Sequence, residues 1–280
     1  MNSSFKLIPD HGRPILGNFH PAEGFKPKPL IIFCHGYKGF KDWGGWHLMA
    51  DAFTSAGFDF VRFNFSHNGG TEEQPIDFPD LEAFSNNNYS LEMSDLQMVI
   101  DHFYRPADGH MEKRPSSLYL LGHSRGGGIV NLTAGQDNRI DKVACLASVS
   151  DYRARFMEGT AHFDQWKETG ITYIENSRTG QLLPHKFQFY TDFMENEERL
   201  TIKTSVKNIS VPHLIIHGTQ DPTVDLKEAM AIHSWNPNSE LYVIDQADHV
   251  FGMSHPWKED RLPGHMQEAV EKLIEFFKEA

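Results

Sequence analysis

A serine between two glycines is the side chain of this 280-residue sequence best placed to act as a nucleophile. It stands in Gly122-His123-Ser124-Arg125-Gly126, directly after the apolar run 118–121 and directly before glycines that can begin a helix. A serine on such a tight turn takes strained backbone angles and leaves no room for side chains two residues away. The pattern predicts a strand, a sharp turn and a helix whose N-terminal end faces any charge that develops on a bound carbonyl oxygen.

Two residues further along the chain have the properties that a serine nucleophile needs in its partners. A serine hydroxyl requires a base to take its proton, and the base requires a third group to orient it. Asp221 follows the apolar run 213–216, and His249 follows the run 241–244. Because the carboxyl ends of parallel strands meet at one edge of a sheet, the sequence predicts a triad with Ser124 as nucleophile, His249 as base and Asp221 as orienting acid.

Asp225 is the nearest alternative to Asp221 as the acid. It stands immediately before a helical pattern, which favours a role as the N-terminal cap of that helix. Asp221, by contrast, follows its strand within the turn Gly218-Thr219-Gln220-Asp221-Pro222. We therefore expect Asp221 to face the histidine.

Acyl transfer by a serine also needs two backbone N–H groups aimed at the developing oxyanion. One of them normally comes from the residue after the nucleophile, here Arg125. The second is expected from the loop after the run 31–34, where Gly36 and Gly39 allow the backbone to turn inward. We assign this second N–H to Tyr37.

Charge and composition exclude several classes of partner. A formal charge of −12 repels phosphate backbones and anionic lipid surfaces, and the 26 Lys and Arg residues are scattered rather than clustered. Nucleic acid is therefore not an expected partner. The sequence shows no run of about 18 apolar residues and no signal-peptide pattern at its start, so we expect a soluble, cytoplasmic protein with no membrane contact.

Histidine and cysteine positions do not indicate a metal site. His213 and His217 flank one apolar run, but there is no H-E-x-x-H motif and no cysteine cluster. We predict neither a metal nor any other cofactor. The two cysteines, Cys34 and Cys145, lie inside apolar runs and are expected to be buried free thiols.

The elements that must position the triad alternate along most of the chain. Near-continuous apolar runs, typical of parallel strands covered on both faces, occur at 29–34, 58–63, 117–121, 143–149, 213–216 and 240–244. Helical periodicity occurs between them at 46–55, 90–103, 126–135, 226–233 and 264–278. This order predicts one α/β domain over 1–280, with a mostly parallel sheet and helices on both faces. The segments 5–8 and 14–19 are predicted to add an antiparallel edge.

The segment 151–205 interrupts this alternation and is rich in aromatic residues. We interpret it as an inserted cap, with a small hairpin formed by 170–176 and 183–189 around the turn 177–180. Four of its rings, Phe163, Trp166, Phe187 and Tyr190, are candidates to line a substrate pocket. Burial of the insertion against the sheet is the alternative role for each of them, and it is the more common one.

Taken together, these motifs resemble the α/β-hydrolase superfamily between about residues 29 and 278. The resemblance rests on His35-Gly36, Arg62-Phe63-Asn64-Phe65-Ser66-His67, Gly122-His123-Ser124-Arg125-Gly126-Gly127, Gly218-Thr219-Gln220-Asp221 and Ala247-Asp248-His249. More narrowly, the chain is similar to bacterial feruloyl or cinnamoyl esterase-like and dienelactone-hydrolase-like members. The resemblance implies the α/β-hydrolase fold, the triad and oxyanion donors named above, and a cap that shapes the acyl pocket.

The predicted activity is hydrolysis of a small-molecule carboxylic ester through an acyl-enzyme intermediate. An acyl-thioesterase or a peptidase remains open, because the same triad cleaves any acyl bond whose leaving group it can protonate. A non-catalytic ligand-binding relative is the alternative from a different class. The sequence specifies neither the acyl and alcohol groups nor the oligomeric state.

Overall fold

The architecture was established from a computed structural model, which describes residues 3–24, 26–104 and 114–279. Its main sheet has eight strands in the order β1-β2-β4-β3-β5-β6-β9-β10. The strands of this sheet are β1 Ser3–Leu7, β2 Ile15–His20, β3 Pro29–Cys34, β4 Asp59–Asn64, β5 Ser117–His123, β6 Lys142–Leu146, β9 His213–Gly218 and β10 Glu240–Ile244.

The strand directions confirm the predicted α/β fold with a mostly parallel sheet. The six strands from β4 to β10 run parallel, while β1 pairs antiparallel with β2 and β2 pairs antiparallel with β4. Strand β6 ends three residues earlier than the predicted run 143–149. The reason is local, because Ala147 takes a positive φ of 47°, which is incompatible with an extended strand.

Helices cover both faces of the sheet. They are α1 Trp46–Ser55, α2 Leu81–Ser85, α3 Tyr89–Tyr104, α4 Arg125–Ala134, α5 Ala161–Thr169, α6 Gln188–Glu195, α7 Glu197–Leu200, α8 Ile202–Asn208, α9 Leu226–Trp235 and α10 Gly264–Lys278. Helices α1 and α10 bury their apolar stripes in one core, and α3, α4, α8 and α9 bury theirs in the other. Within the described residues, no helix is both long enough and apolar enough to cross a bilayer.

The segment 151–205 is more regular than its sequence suggests. It contains α5, the hairpin strands β7 Ile171–Glu175 and β8 Leu182–Lys186, then α6 and α7, and its predicted end falls inside α8. The predicted strand 183–189 is wrong over its last three residues, because Phe187 is the N-cap of helix α6 and residues 188–189 lie in that helix. Phe189 and Phe193 lie four residues apart on this helix and are buried together, so packing of a helical face decides the conformation there.

A buried carboxyl group lies on α3, on the core face of the helix. Asp95 is only 1% exposed, its Oδ2 accepts a hydrogen bond from Ser66 N at 2.7 Å, and His11 Nε2 lies 3.8 Å from its Oδ1. Burial raises the pKa of Asp95 from 3.8 to about 7. This residue therefore contributes most to the free energy of unfolding below pH 4, and the contribution is lost as the pH rises to about 7.

We expect Asp95→Asn to stabilise the protein at pH 8 by about 2–4 kcal/mol, because an amide carries no charge to bury. Urea unfolding at pH 5 and pH 8 should show that the free energy of unfolding of Asp95→Asn exceeds that of the wild type by more at pH 8 than at pH 5. Asp51→Asn, on the exposed side of α1, serves as the control and should change the free energy of unfolding by less than about 0.5 kcal/mol. Equal destabilisation by Asp95→Asn at both pH values would contradict the prediction.

Candidate active site

Ser124 occupies the sharp turn between β5 and α4. Its φ is +55° and its ψ is −117°, a strained conformation for a residue with a side chain. A Cβ on Gly122 would lie 2.3 Å from Gly126 O, and a Cβ on Gly126 would lie 2.3 Å from Cys34 O. Both glycines are therefore required by the close approach of backbone to backbone, as the motif predicts. The turn places the Ser124 side chain at the carboxyl edge of the sheet.

The loops after β9 and β10 bring the other two predicted residues to this serine. His249 Nε2 lies 3.0 Å from Ser124 Oγ, and His249 Nδ1 lies 2.7 Å from Asp221 Oδ2. An ionised Asp221 accepts a hydrogen bond from Nδ1–H, which keeps the ring proton on Nδ1 and leaves Nε2 able to accept from the serine hydroxyl. The three side chains thus form one continuous hydrogen-bonded chain.

The carboxylate of Asp221 is fully buried and held in its ionised form. Its Oδ1 accepts hydrogen bonds from the backbone N–H groups of Thr223 and Val224 at 2.8 and 2.9 Å. Burial by itself would raise the pKa of Asp221, but hydrogen bonds from His217, His249 and Val224 N–H outweigh it and hold the pKa well below its usual range. Asp225, the alternative acid, instead caps α9 by accepting from Lys227 N at 2.9 Å.

A second histidine supports the loop that carries His249. His123 Nε2 donates to the backbone carbonyl of His249 at 2.8 Å. Burial lowers the pKa of His123 to about 3, so its ring is neutral and Nε2 carries the proton. The sequence predicts no role for His123 beyond its place in the nucleophile motif. Its position next to Ser124 is the one sequence signal that it faces the other members of the site.

The backbone N–H groups of Tyr37 and Arg125 have the properties expected of oxyanion donors. Among the hydrogen bonds of the described residues, neither N–H has an acceptor. The loop after β3 approaches the serine closely, since a Cβ built on Gly36 would lie 2.9 Å from Ser124 Cβ. Arg125 opens helix α4, whose N-terminal end adds a favourable dipole. Both N–H groups are thus available at the same edge of the sheet.

A cavity of about 240 Å³ opens at Ser124 beneath the 151–205 segment. Its aromatic walls are Tyr37, Tyr89, Tyr152, Phe156, Trp166 and Phe189. Of the four predicted pocket residues, the structure places only Trp166 in this lining. Phe163 and Phe187 contact the ring of Trp166 at centroid distances of 6.3 and 5.2 Å, and Tyr190 packs against Phe163 at 4.9 Å. These three rings therefore support Trp166 from behind.

Tyr37 also connects the loop after β3 to the 151–205 segment. Its hydroxyl lies 2.7 Å from His185 Nε2, and His185 is on strand β8. Burial raises the pKa of Tyr37 to about 12 and lowers the pKa of His185 to about 3, so both groups are neutral. The His185 tautomer sets which of the two groups donates in this hydrogen bond. This bond fixes the loop whose N–H is the candidate oxyanion donor.

We expect Tyr37→Phe to lower kcat about tenfold while KM changes little, because a displaced oxyanion donor weakens only the transition state. The free energy of unfolding should fall by about 1 kcal/mol. Steady-state kinetics on p-nitrophenyl butyrate and urea unfolding check both values. Tyr242→Phe, which removes a surface hydrogen bond to Glu268, is the matched control. A loss of stability with kcat intact would reduce the Tyr37 hydroxyl to a structural role.

The two histidines considered as metal ligands lie at opposite ends of β9, and both are buried. His217 Nε2 donates to Val224 O at 2.8 Å and lies 3.4 Å from Asp221 Oδ2. Its ring therefore supports the loop that carries Asp221. In the part of the chain that the structure describes, no three His, Cys, Asp or Glu side chains are grouped as metal ligands would be.

Comparison with known proteins gives a family and a set of structural relatives. A family described as alpha/beta hydrolase fold matches residues 29–201, whereas no curated protein sequence matches. Est1E from Butyrivibrio proteoclasticus shares 18% identity with a TM-score of 0.72, and the alignment covers 98% of this chain and 97% of Est1E. The alpha/beta hydrolase GrgF from a Penicillium species shares 16% identity with a TM-score of 0.66, over 99% and 98% of the two chains. The family match covers more than half of the sequence, and the structural matches show the same fold, so the chain belongs to the alpha/beta hydrolase fold family.

Proposed function

We propose that the protein is a serine hydrolase that cleaves a carboxylic ester through an acyl-enzyme intermediate. The observation that carries the proposal is the chain of hydrogen bonds from Ser124 Oγ through His249 to Asp221, with distances of 3.0 and 2.7 Å. These distances lie within the reach that proton transfer requires. Ser124, at one end of these hydrogen bonds, lines a cavity large enough for a small acyl group.

The proposed reaction has two displacement steps. Ser124 Oγ attacks the ester carbonyl as His249 Nε2 takes the hydroxyl proton, and the backbone N–H groups of Tyr37 and Arg125 hold the oxyanion. The protonated His249 then gives its proton to the leaving alkoxide, and the acyl group stays on the serine. In the second step a water molecule attacks the acyl carbonyl, with His249 again as base, and the acid is released from Ser124. Asp221 stabilises the charged imidazole in both steps.

Aromatic walls favour an acyl group with a flat or apolar surface. Tyr89 and Tyr152 stack with their ring centroids 3.7 Å apart, and Phe156 and Phe189 continue the wall. Est1E, whose fold this chain shares, has also been solved with ferulic acid bound. We propose that the 151–205 segment acts as a cap that covers this acyl group. Trp166 on α5 would then form part of its roof.

The proposal is tested with three substrates that share one acyl size: p-nitrophenyl butyrate, butyryl-coenzyme A and a butyryl p-nitroanilide. We expect the ester to give the highest kcat/KM, and we expect a fluorophosphonate probe to label wild-type protein stoichiometrically. A higher kcat/KM on the thioester or the anilide would replace the esterase assignment with a thioesterase or an amidase. Failure of both labelling and turnover would support a non-catalytic ligand-binding protein.

A further inference from the structure

The arginine that follows Ser124 sends its side chain into the wall of the cavity. The Arg125 guanidinium carbon lies 4.4 Å from the ring centroid of Tyr37, 5.3 Å from that of Tyr89 and 5.2 Å from that of Phe189. All three rings line the cavity. An arginine in this position combines a fixed charge with a planar fork of donors.

The charge of Arg125 is only partly engaged by protein. Its Nη1 donates to Glu92 Oε1 at 3.2 Å, and the same oxygen accepts a shorter bond of 2.7 Å from Asn87 Nδ2. Among the described residues, this bond to Glu92 is the one side-chain hydrogen bond that the Arg125 guanidinium donates. The side chain keeps 12% of its surface exposed and forms part of the cavity lining.

The charged side chains that line the cavity are basic, and the glutamates that pair with them, Glu92 and Glu228, lie outside the lining. Within the described residues, its lining includes Arg125 and Arg155 but no Asp or Glu, although the chain has a formal charge of −12. Arg155 forms an ion pair with Glu228 and lies at a more exposed position, with 37% of its side chain accessible. Arg125 is therefore the better candidate for an anion held inside the cavity, where water competes least.

We propose that Arg125 binds a carboxylate on the acyl group of the substrate, so that the preferred substrates are half-esters of dicarboxylic acids. The inference rests on the proposed esterase function and names its substrate class. Arginine and carboxylate form paired, charge-assisted hydrogen bonds, and the rings around Arg125 exclude water from them. The apolar walls between Arg125 and Ser124 would accommodate the carbon chain that joins the two carboxyl carbons.

The test compares two esters of equal shape that differ in charge. Monoethyl adipate ends in a carboxylate, and ethyl 6-methylheptanoate ends in an isopropyl group of the same outline. Monoethyl esters from succinate to suberate extend the comparison to other chain lengths. We expect wild-type protein at pH 7.5 to show a kcat/KM about 10–100-fold higher on the best half-ester than on its isopropyl counterpart, the range expected for one charge-assisted pair.

Variants assign the preference to one arginine. Arg125→Met should lower the ratio of the two kcat/KM values to about one, whereas Arg155→Met should leave that ratio high. Because Arg125→Met leaves Glu92 buried without its partner, the double variant Glu92→Gln with Arg125→Met is made in parallel. The ratio within each variant is the readout, so a general loss of activity does not imitate the effect.

Each outcome supports or overturns the inference. A wild-type preference for the isopropyl ester overturns it whether or not the variants fold, and it leaves the esterase proposal intact. Loss of the preference in Arg155→Met rather than Arg125→Met also overturns the assignment to Arg125. If neither ester is hydrolysed at any chain length while p-nitrophenyl butyrate is, the half-ester proposal alone fails. If no ester is hydrolysed at all, both proposals fail together.

Discussion

Ser124→Ala should lower kcat on p-nitrophenyl butyrate by about 10³–10⁶-fold, because the acyl-enzyme cannot form without the hydroxyl. The fold should persist, since alanine fits the same turn and Gly122 and Gly126 still provide the room that the backbone needs. The strain at φ +55° is similar for serine and alanine. Circular dichroism and urea unfolding should therefore match wild type while fluorophosphonate labelling disappears.

A nearby serine gives the matched control for this substitution. Ser150 is also buried and lies after β6, but its Oγ contacts Glu228 at 3.3 Å and is not part of the cavity lining. Ser150→Ala should keep both turnover and labelling. Undiminished turnover in purified Ser124→Ala protein, or labelling that persists there, would show that another residue is the nucleophile.

The meeting of Ser124, Asp221 and His249 could be predicted from the order of the chain. Each of them follows an apolar run within five residues, and parallel strands place such positions at one edge of the sheet. Gly122 is required by the turn itself, because a Cβ there would lie 2.3 Å from Gly126 O, whereas Gly126 is required by the approach of Cys34 O on β3. The sequence motif thus indicates the turn, and the packing of β3 against it accounts for the second glycine.

The walls of the cavity could not be predicted in the same way. Tyr89 is the first residue of α3 and Tyr152 follows β6, so the two stacked rings come from parts of the chain 63 residues apart. Phe163 and Trp166 are almost equally buried, with 7% and 5% of their surface exposed, yet of these two only Trp166 lines the cavity. An aromatic sequence pattern predicts burial, but it does not distinguish rings that face a cavity from rings that support them.

The proposed contact between the Arg125 side chain and a substrate carboxylate has a similar basis in tertiary packing. The sequence motif indicates a role only for the backbone N–H of Arg125, which depends on the turn. The environment of its side chain depends on Glu92, Tyr89 and Phe189, which lie on α3 and α6. Those contacts arise from the packing of the 151–205 segment onto α3, and no local pattern in the sequence indicates them.

Asp221→Asn is expected to lower kcat by about 10³–10⁴-fold with little change in KM, through a change in the His249 tautomer. If the amide nitrogen faces His249, Nδ1 must become an acceptor, so Nε2 carries the proton and cannot take one from Ser124. If the amide is turned the other way, its NH₂ faces the backbone N–H groups of Thr223 and Val224. In the wild-type protein those two groups donate to Asp221 Oδ1. Neither orientation satisfies all the donors around this buried side chain.

The same substitution should also change how stability depends on pH. Because the pKa of Asp221 is lowered in the folded protein, its charge stabilises the fold above about pH 4, and that contribution is lost as the pH falls. Asp221→Asn should therefore destabilise the protein more at pH 7 than at pH 3 in urea unfolding. Asp225→Asn is the matched control, because asparagine can still cap α9 and this carboxyl group does not contact His249. If Asp225→Asn reduced kcat as strongly as Asp221→Asn, the acid of the triad would have to be reassigned.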